Sequence, residues 1–428
     1  MHEEKQITRR HFLAAFSTVA AGIAMAACAQ QPATPAATQA PAAAKPAIKI
    51  GHLTPRTGFL APAGFYSSIG VIVGFDMINN AGGVLGGRKF DIIAEDSVDA
   101  GTAVQKTIKL CEKDKVDFLM GEINSASALA ETENAAKYQK IFINTGANSD
   151  QLRQDKCNHY SFHIESSNTQ SVKACMYYLS KNKADLKNYY FPYSDYAFGQ
   201  NLYQVAKAEA AKYGFKEIGN DPIPTGTTEF SSYIQKIKSA KPDIIFNCLA
   251  GTDWQVFVKQ YADAGAPFYH AAAQFETNNV WGVPRDVMGA IGGIGAAVWY
   301  FKVDDPGSVK FVEEATKKLG KPPDDQCYKD AIGATLLAKA VDATGGTDTE
   351  KVIKYFESGA EFDLWKGRKG KFSTQDHQLL QTMYTLQMKP KDKLTDQWDW
   401  CDVAYVNPGP NDPLESIHIA KADSVCKL

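Results

Sequence analysis

A chain of 428 residues with 44% hydrophobic and 22% charged side chains has ordinary globular composition and the length of two domains rather than one. Its 46 basic and 48 acidic residues nearly cancel and form no long blocks, which argues against a nucleic-acid binder, where a basic excess or stripe is the usual footprint. The 8 cysteines include no CxxC and have no histidines at zinc-like spacing, so neither a structural metal site nor a cofactor is expected.

The chain opens with an address. Paired arginines, Arg9 and Arg10, precede an Ala-rich apolar run from Phe12 to Ala27, a charge-then-apolar order that suits a signal peptide. The run is too short and too rich in small residues for a comfortable membrane span. It resembles a twin-arginine export signal, and Met25-Ala26-Ala27-Cys28 resembles a lipoprotein cleavage box, which implies a lipid on Cys28. Soluble release after Ala24-Met25-Ala26 is the alternative. Residues 28–47 carry Pro32, Pro35, Pro41 and Pro46 among Ala, Thr and Gln, a composition that cannot bury a core and reads as an extended spacer. A lipidated Cys28 would leave an odd number of cysteines, so at least one stays a free thiol. Cys401 and Cys426 are the pair expected to form a disulfide in an oxidising compartment, although connectivity is not legible in sequence.

From Ile48 onward, short apolar runs alternate with helical patterns. Strands are predicted at 48–53, 90–95, 116–121 and 140–144, with helices at 66–79, 103–113 and 126–138 between them. The rhythm restarts with strands at 189–193, 215–223 and 242–249 and helices at 199–213, 230–239 and 252–265. A Gly-rich apolar stretch follows at 291–301, then a helix at 331–344 and an alternating strand-like segment at 379–388. Strand–helix alternation at this spacing predicts βαβ units and parallel sheets, hence an α/β fold of two halves. Parallel sheets bind ligands beyond the carboxyl ends of their strands, so two facing sheets predict a ligand in a cleft between them.

Several stretches carry a resemblance in consistent order. They are Gly51–Gly58, Ile78–Arg88, Asp96 with Ala103 and Val104, Gly121–Ser125, Asn144–Asn148 and Tyr196–Gly199. Together they are similar to the leucine/isoleucine/valine-type periplasmic solute-binding proteins of ABC transporters, which have the type I periplasmic binding fold. The resemblance covers about 48–388. It implies two Rossmann-like lobes joined by three hinge crossings near His163, Ala297 and Phe372, with 48–161 and 299–371 in one lobe and 166–295 and 375–428 in the other. It implies hinge closure on a solute, an exported protein at the periplasm or the outer face of the cytoplasmic membrane, and a permease as partner. A monomer is expected.

Pocket residues carry over where positions match. Ser125 matches the serine that holds a ligand carboxylate, although a serine there also suits helix capping before Ala126. Gly146 contributes backbone, and Asn148 stands where the family more often has Thr or Ser. Phe198 falls at the position of a ligand-covering tyrosine, with Tyr196 beside it. Glu276 and Gln274 lie near the family's acidic group for a ligand ammonium. Phe59 and Tyr328 are candidate pocket walls, with plain core packing the alternative. The aromatics expected near the cleft, Phe59, Phe65, Tyr196, Phe198 and Phe275, would suit an apolar or planar acid, so the expected ligand is an apolar amino acid or an aromatic acid. No nucleophile elbow, zinc-protease motif, phosphate loop or dinucleotide fingerprint occurs, so catalysis is not expected. A ligand sensor serving a membrane receptor or kinase is the remaining rival, because the same fold serves both roles.

Overall fold

The computed structural model describes residues 45–394 and 396–428. The expected export signal, Cys28 and most of the expected spacer lie outside the described residues. Five short strands, β1 (Ile48–Thr54), β2 (Phe90–Asp96), β3 (Phe118–Gly121), β4 (Phe142–Asn144) and β5 (Ser161–His163), pair in parallel in the order β2-β1-β3-β4-β5. β3, β4 and β5 have no exposed residue. Sheets covered on both faces produce such continuous apolar runs instead of alternation.

The second sheet has 7 strands. β6 (Asn188–Ser194), β7 (Lys216–Ile223), β8 (Ile244–Asn247), β9 (Tyr269–Ala272) and β10 (Ile294–Ala297) pair in parallel. A separate two-stranded ladder, β11 (Lys371–Phe372) with β12 (Leu379–Leu380), precedes β13 (Met383–Met388) and β14 (Cys401–Asn407). The last two extend the second sheet antiparallel from β10. β14 lies in the Pro-, Asp- and Trp-rich tail and had no clear period in the sequence.

Local chemistry starts the helices where it should. Asp99, Asn124, Asp305, Asp324 and Asp348 each accept backbone N–H groups as N-caps, and Ser167 with Gln170 forms a reciprocal capping box. The helix Ala61–Asn80 packs on Asp325–Thr344 through small residues. A Cβ on Gly70 would sit 2.3 Å from the carbonyl oxygen of Cys327, so only glycine permits this approach.

The chain passes between the two sheets three times: after β5, after β10, and through Gln381–Thr382 between β12 and β13. Phe372, expected at the third passage, instead pairs with Leu379 in the small ladder. Two side chains tie the passages together. Lys366 Nζ donates to Val298 O (2.9 Å), Thr382 O (2.7 Å) and Gln381 Oε1 (2.8 Å). Gln381 Nε2 donates to Ile164 O at 2.7 Å.

The expected Cys401–Cys426 bridge is not formed. Cys426 bonds to Cys157, and Cys401 is a buried thiol on β14, 2% exposed. The tail explains the correction: Val425 N donates to Gln154 Oε1, so the last residues run back to the loop before β5 and leave β14 behind.

Candidate ligand cleft

A narrow cavity with a free volume of about 20 Å³ lies where loops from both sheets meet. The first sheet supplies Gly146 and Asn148 from the loop after β4, Ile123 from the loop after β3, and Leu60 from the turn before the helix Ala61–Asn80. The second supplies Tyr196 and Phe198 after β6, Leu249 and Ala250 after β8, and Gln274, Phe275 and Glu276 after β9. All these loops follow the carboxyl ends of parallel strands, where ligands of open α/β sheets bind.

Six of the nine sequence-predicted site residues meet in this wall: Gly146, Asn148, Tyr196, Phe198, Gln274 and Glu276. Asn148 is turned to another use as well, since its Nδ2 donates to Ser166 O at 3.0 Å on the first passage between the sheets. Phe59 stands next to the wall rather than in it, edge-on to Tyr196 with ring centroids 5.6 Å apart. Ser125 is fully buried and outside the wall. Its Oγ accepts from Ser149 N at 3.3 Å, while the cap role expected of it belongs to Asn124, whose Oδ1 accepts from Ala126 N at 2.9 Å. Tyr328 is not a pocket residue. It is fully buried, stacked on Trp299 at 5.0 Å, and its hydroxyl donates to Leu364 O at 2.6 Å. Large aromatic area drives such a residue into a core when its polar tip finds a partner there.

Leu60, Ile123, Leu249, Ala250, Trp254 and Asn279 complete the wall and were missed. A signal existed for Ala250, which precedes a glycine-initiated helix directly after a strand, the arrangement that presents unpaired N–H groups to a ligand. The indole N–H of Trp254 is buried without a partner.

The polar end of the cleft is acidic. Glu276 accepts from Asn279 Nδ2 at 3.2 Å and lies 3.9 Å from the ammonium of Lys329. Burial pushes its carboxyl up to about 7; Lys329 opposes the rise and the Asp325 and Glu165 carboxylates add to it. Burial also raises the Tyr196 phenol, with Glu276 the charge that reinforces it most, so the hydroxyl stays neutral and able to donate. Among the described residues no group of three or more His, Cys, Asp or Glu could hold a metal ion.

Glu122 lies under the wall beside Ile123 in left-handed backbone, φ 62°. Its Oε1 accepts from Ile123 N (2.9 Å) and Asn124 N (2.8 Å), yet complete burial still lifts the carboxyl to about 7. A group whose folded pKa lies above its unfolded value of 4.5 supplies stability that is full below that value and lost as pH rises through the folded one. Wild-type stability therefore carries a falling contribution between those two pH values from this group. Glu122→Gln keeps both acceptor contacts and removes the charge. Urea unfolding is expected to show the variant more stable than wild type by roughly 2–3 kcal/mol at pH 8 and nearly equal at pH 5. Equal stabilities at both pH values would refute the assignment.

The comparisons agree with this architecture. A family model described as periplasmic binding protein matches residues 47–393. The chain belongs to the periplasmic binding protein family. Leu/Ile/Val-binding protein homolog 7 of Brucella suis is 24% identical over 329 residues, covering 73% of this chain and 81% of that protein. A periplasmic binding protein from Burkholderia mallei superposes with a TM-score of 0.81 at 25% identity, covering 89% of this chain and 98% of that one. An ABC-transporter solute-binding protein from R. palustris, solved with benzoate, gives a TM-score of 0.76 at 22% identity, covering 89% of this chain and 100% of that one. The family model and the Burkholderia mallei protein are described as periplasmic binding proteins, and the Brucella suis relative as a Leu/Ile/Val-binding protein homolog.

Proposed function

We propose that this chain captures a small carboxylate, an apolar amino acid or an aromatic acid, by hinge closure and delivers it to the permease of an ABC importer. The observation that carries this reading is the cavity itself, walled from both sheets at the carboxyl ends of their strands. A ligand there touches both lobes, so it favours the closed state by its differential contacts. The lip of the cleft is apolar and aromatic (Leu60, Ile123, Phe198, Phe275), which suits an apolar body. Glu276 at the polar end favours a ligand that also carries an ammonium. The paired arginines and Cys28 support export and a lipid tether on the outer face of the cytoplasmic membrane.

Thermal unfolding of refolded protein against amino acids, aromatic acids, amides and urea tests the reading. A true ligand is expected to add roughly 2.7 kcal/mol at a hundred times its dissociation constant. If the ligand is an amino acid, Glu276→Gln is expected to weaken it about tenfold, the loss of one charge-assisted hydrogen bond. Wild-type affinity for it is then expected to fall from pH 8 to pH 6, as Glu276 takes up its proton near 7. An aromatic acid would show neither effect. No shift with any carboxylate refutes the substrate class.

A further inference from the structure

Behind the polar end of the cleft lies a second, small chamber that shares Gln274 and Glu276 with it. Its wall includes Glu165 and Ser166 from the first passage between the sheets, Ala297 and Val298 from the second, and Asp325 and Lys329 from the helix Asp325–Thr344. Lys329 is 1% exposed and forms an ion pair with Glu165. The same ammonium lies 3.6 Å from Asp325 Oδ2 and 3.9 Å from Glu276 Oε1. One ammonium thus faces a hinge carboxylate, a carboxylate of its own helix and a cleft carboxylate, all in the protein interior.

The neighbours leave the cluster short of positive charge and of donors. Asp324 adds a further buried carboxyl and accepts from Asn278 Nδ2 at 2.5 Å. Asp325 Oδ1, Asn278 Oδ1 and Asn279 Oδ1 are buried acceptors without a donor, and Asp325 is 3% exposed. The other polar groups facing Glu276 are Tyr196, Asn278 and Asn279, and the charge of Glu165 also acts on Lys366. Burial disfavours the charge on Lys329, but Asp325, Glu165 and Glu276 outweigh it and hold the amine above the usual lysine range. Asp325 is raised by burial to about 6 despite Lys329.

We propose that Lys329 is a positioning residue that couples the cleft to the hinge, held between Glu276 on the ligand side and Glu165 on the first hinge crossing. The proposal rests on the reading of the cavity as a ligand cleft closed by a hinge. A cationic group arriving at Glu276 offsets that carboxylate's pull on Lys329, and the ammonium, already in contact with Glu165, is left to Glu165 and Asp325 alone. The grip of the helix on the hinge crossing then tightens when the cleft is occupied. In a low-dielectric interior such exchanges of partner are strongly felt, because no water substitutes for the lost charge.

Hydrogen exchange read by mass spectrometry on ligand-free protein tests the coupling without knowledge of the ligand. Glu276→Gln removes the cleft's pull on Lys329, so amides of Ile164–Ser166 are expected to exchange at least about threefold more slowly than in wild type. Lys329→Met is expected to speed the same amides about tenfold while β1 keeps its protection. In the Lys329→Met background, Glu276→Gln is expected to leave the hinge amides unchanged, the signature of a pairwise coupling. A lysine with only a packing role would not transmit a change at Glu276 to Ile164–Ser166. Identical hinge exchange in wild type and Glu276→Gln would overturn the proposal, and that comparison stands even if Lys329→Met fails to fold. A ligand panel with no binder, beside slowed hinge exchange in Glu276→Gln, would remove the carboxylate reading and leave the coupling. A good binder beside unchanged hinge exchange would remove the coupling alone.

Discussion

Arg153→Ala is expected to lower the unfolding free energy by about 4 kcal/mol or more, the largest single-residue stability loss in the cleft region. Arg153 is fully buried, yet its partners are mainly carbonyls. Nε donates to Gln378 Oε1 (2.7 Å), Nη1 to Ala147 O (3.0 Å) and Ser149 O (3.1 Å), and Nη2 to Glu165 O (2.9 Å). Those contacts clamp the loop that carries Gly146 and Asn148 to the first hinge crossing. Burial pulls the guanidinium down to about 10, with Asp150, Glu165 and Asp376 opposing, so it stays charged at neutral pH. Truncation leaves Gln378 Oε1 without a donor, takes one of two donors from each of Ala147 O, Ser149 O and Glu165 O, and opens a cavity besides. Arg153→Lys keeps the charge but not the planar fork, so it is expected to recover only part of the loss. Urea unfolding at pH 7 measures both. A loss below about 1 kcal/mol for the alanine variant would mean that water replaces the side chain and that the clamp is dispensable.

Arg153 also marks where sequence reading stops. It lies between strand-like segments with no periodic or motif signal, and only the fold brings Gln378 and Glu165 to it. What was legible is local. Apolar runs and turn glycines placed four of the five strands of the first sheet, β1 to β4, to within about two residues, and the order of short motifs gave the family. The matched loops also put Gly146, Asn148, Tyr196, Phe198, Gln274 and Glu276 in one wall, because each follows a strand whose carboxyl end must face the cleft. Long-range pairings were not legible. The disulfide partner of Cys426 depends on how the tail returns to Gln154, and nothing near Cys401 or Cys157 encodes that. Tyr328 failed for a related reason: a buried aromatic on a helix has the same sequence signature whether it faces a core or a cavity. β5, β9 and β14 were missed because their residues mix Ser, His, Tyr, Ala, Asp and Asn without a clean period.

The largest effect on binding is expected at Gly251, which opens the helix Gly251–Asp263 in the second lobe. Its φ is +57°, and a Cβ built there would lie 2.2 Å from the carbonyl oxygen of Phe59 in the first lobe. The next residue completes the contact: Thr252 N donates to Phe59 O at 2.9 Å. This is a bond between the lobes at the mouth of the cleft, beside the Phe59–Tyr196 edge contact at 5.6 Å. In Gly251→Val the side chain and the Phe59 carbonyl cannot keep their present positions together, and on the proposed hinge motion this geometry is the closed one. On that reading a separation of the lobes relieves the conflict, so the variant is expected to fold and remain open. Since apparent affinity scales with the population of the competent state, removing about 2–3 kcal/mol from closure weakens binding roughly 30- to 150-fold. Left-handed backbone strain alone costs about 1–2 kcal/mol of folding stability, and a control separates it from the clash. Gly214 has φ +72° with nothing within 4 Å of a built Cβ, so Gly214→Val carries the strain without the obstruction. Small-angle scattering with and without the ligand found by the thermal panel is expected to show compaction in wild type and Gly214→Val, and none in Gly251→Val. Calorimetry should place the affinity loss with Gly251→Val only. Compaction and wild-type affinity in Gly251→Val would show that the lobes close without the Phe59–Thr252 contact, and would move the latch elsewhere on the rim.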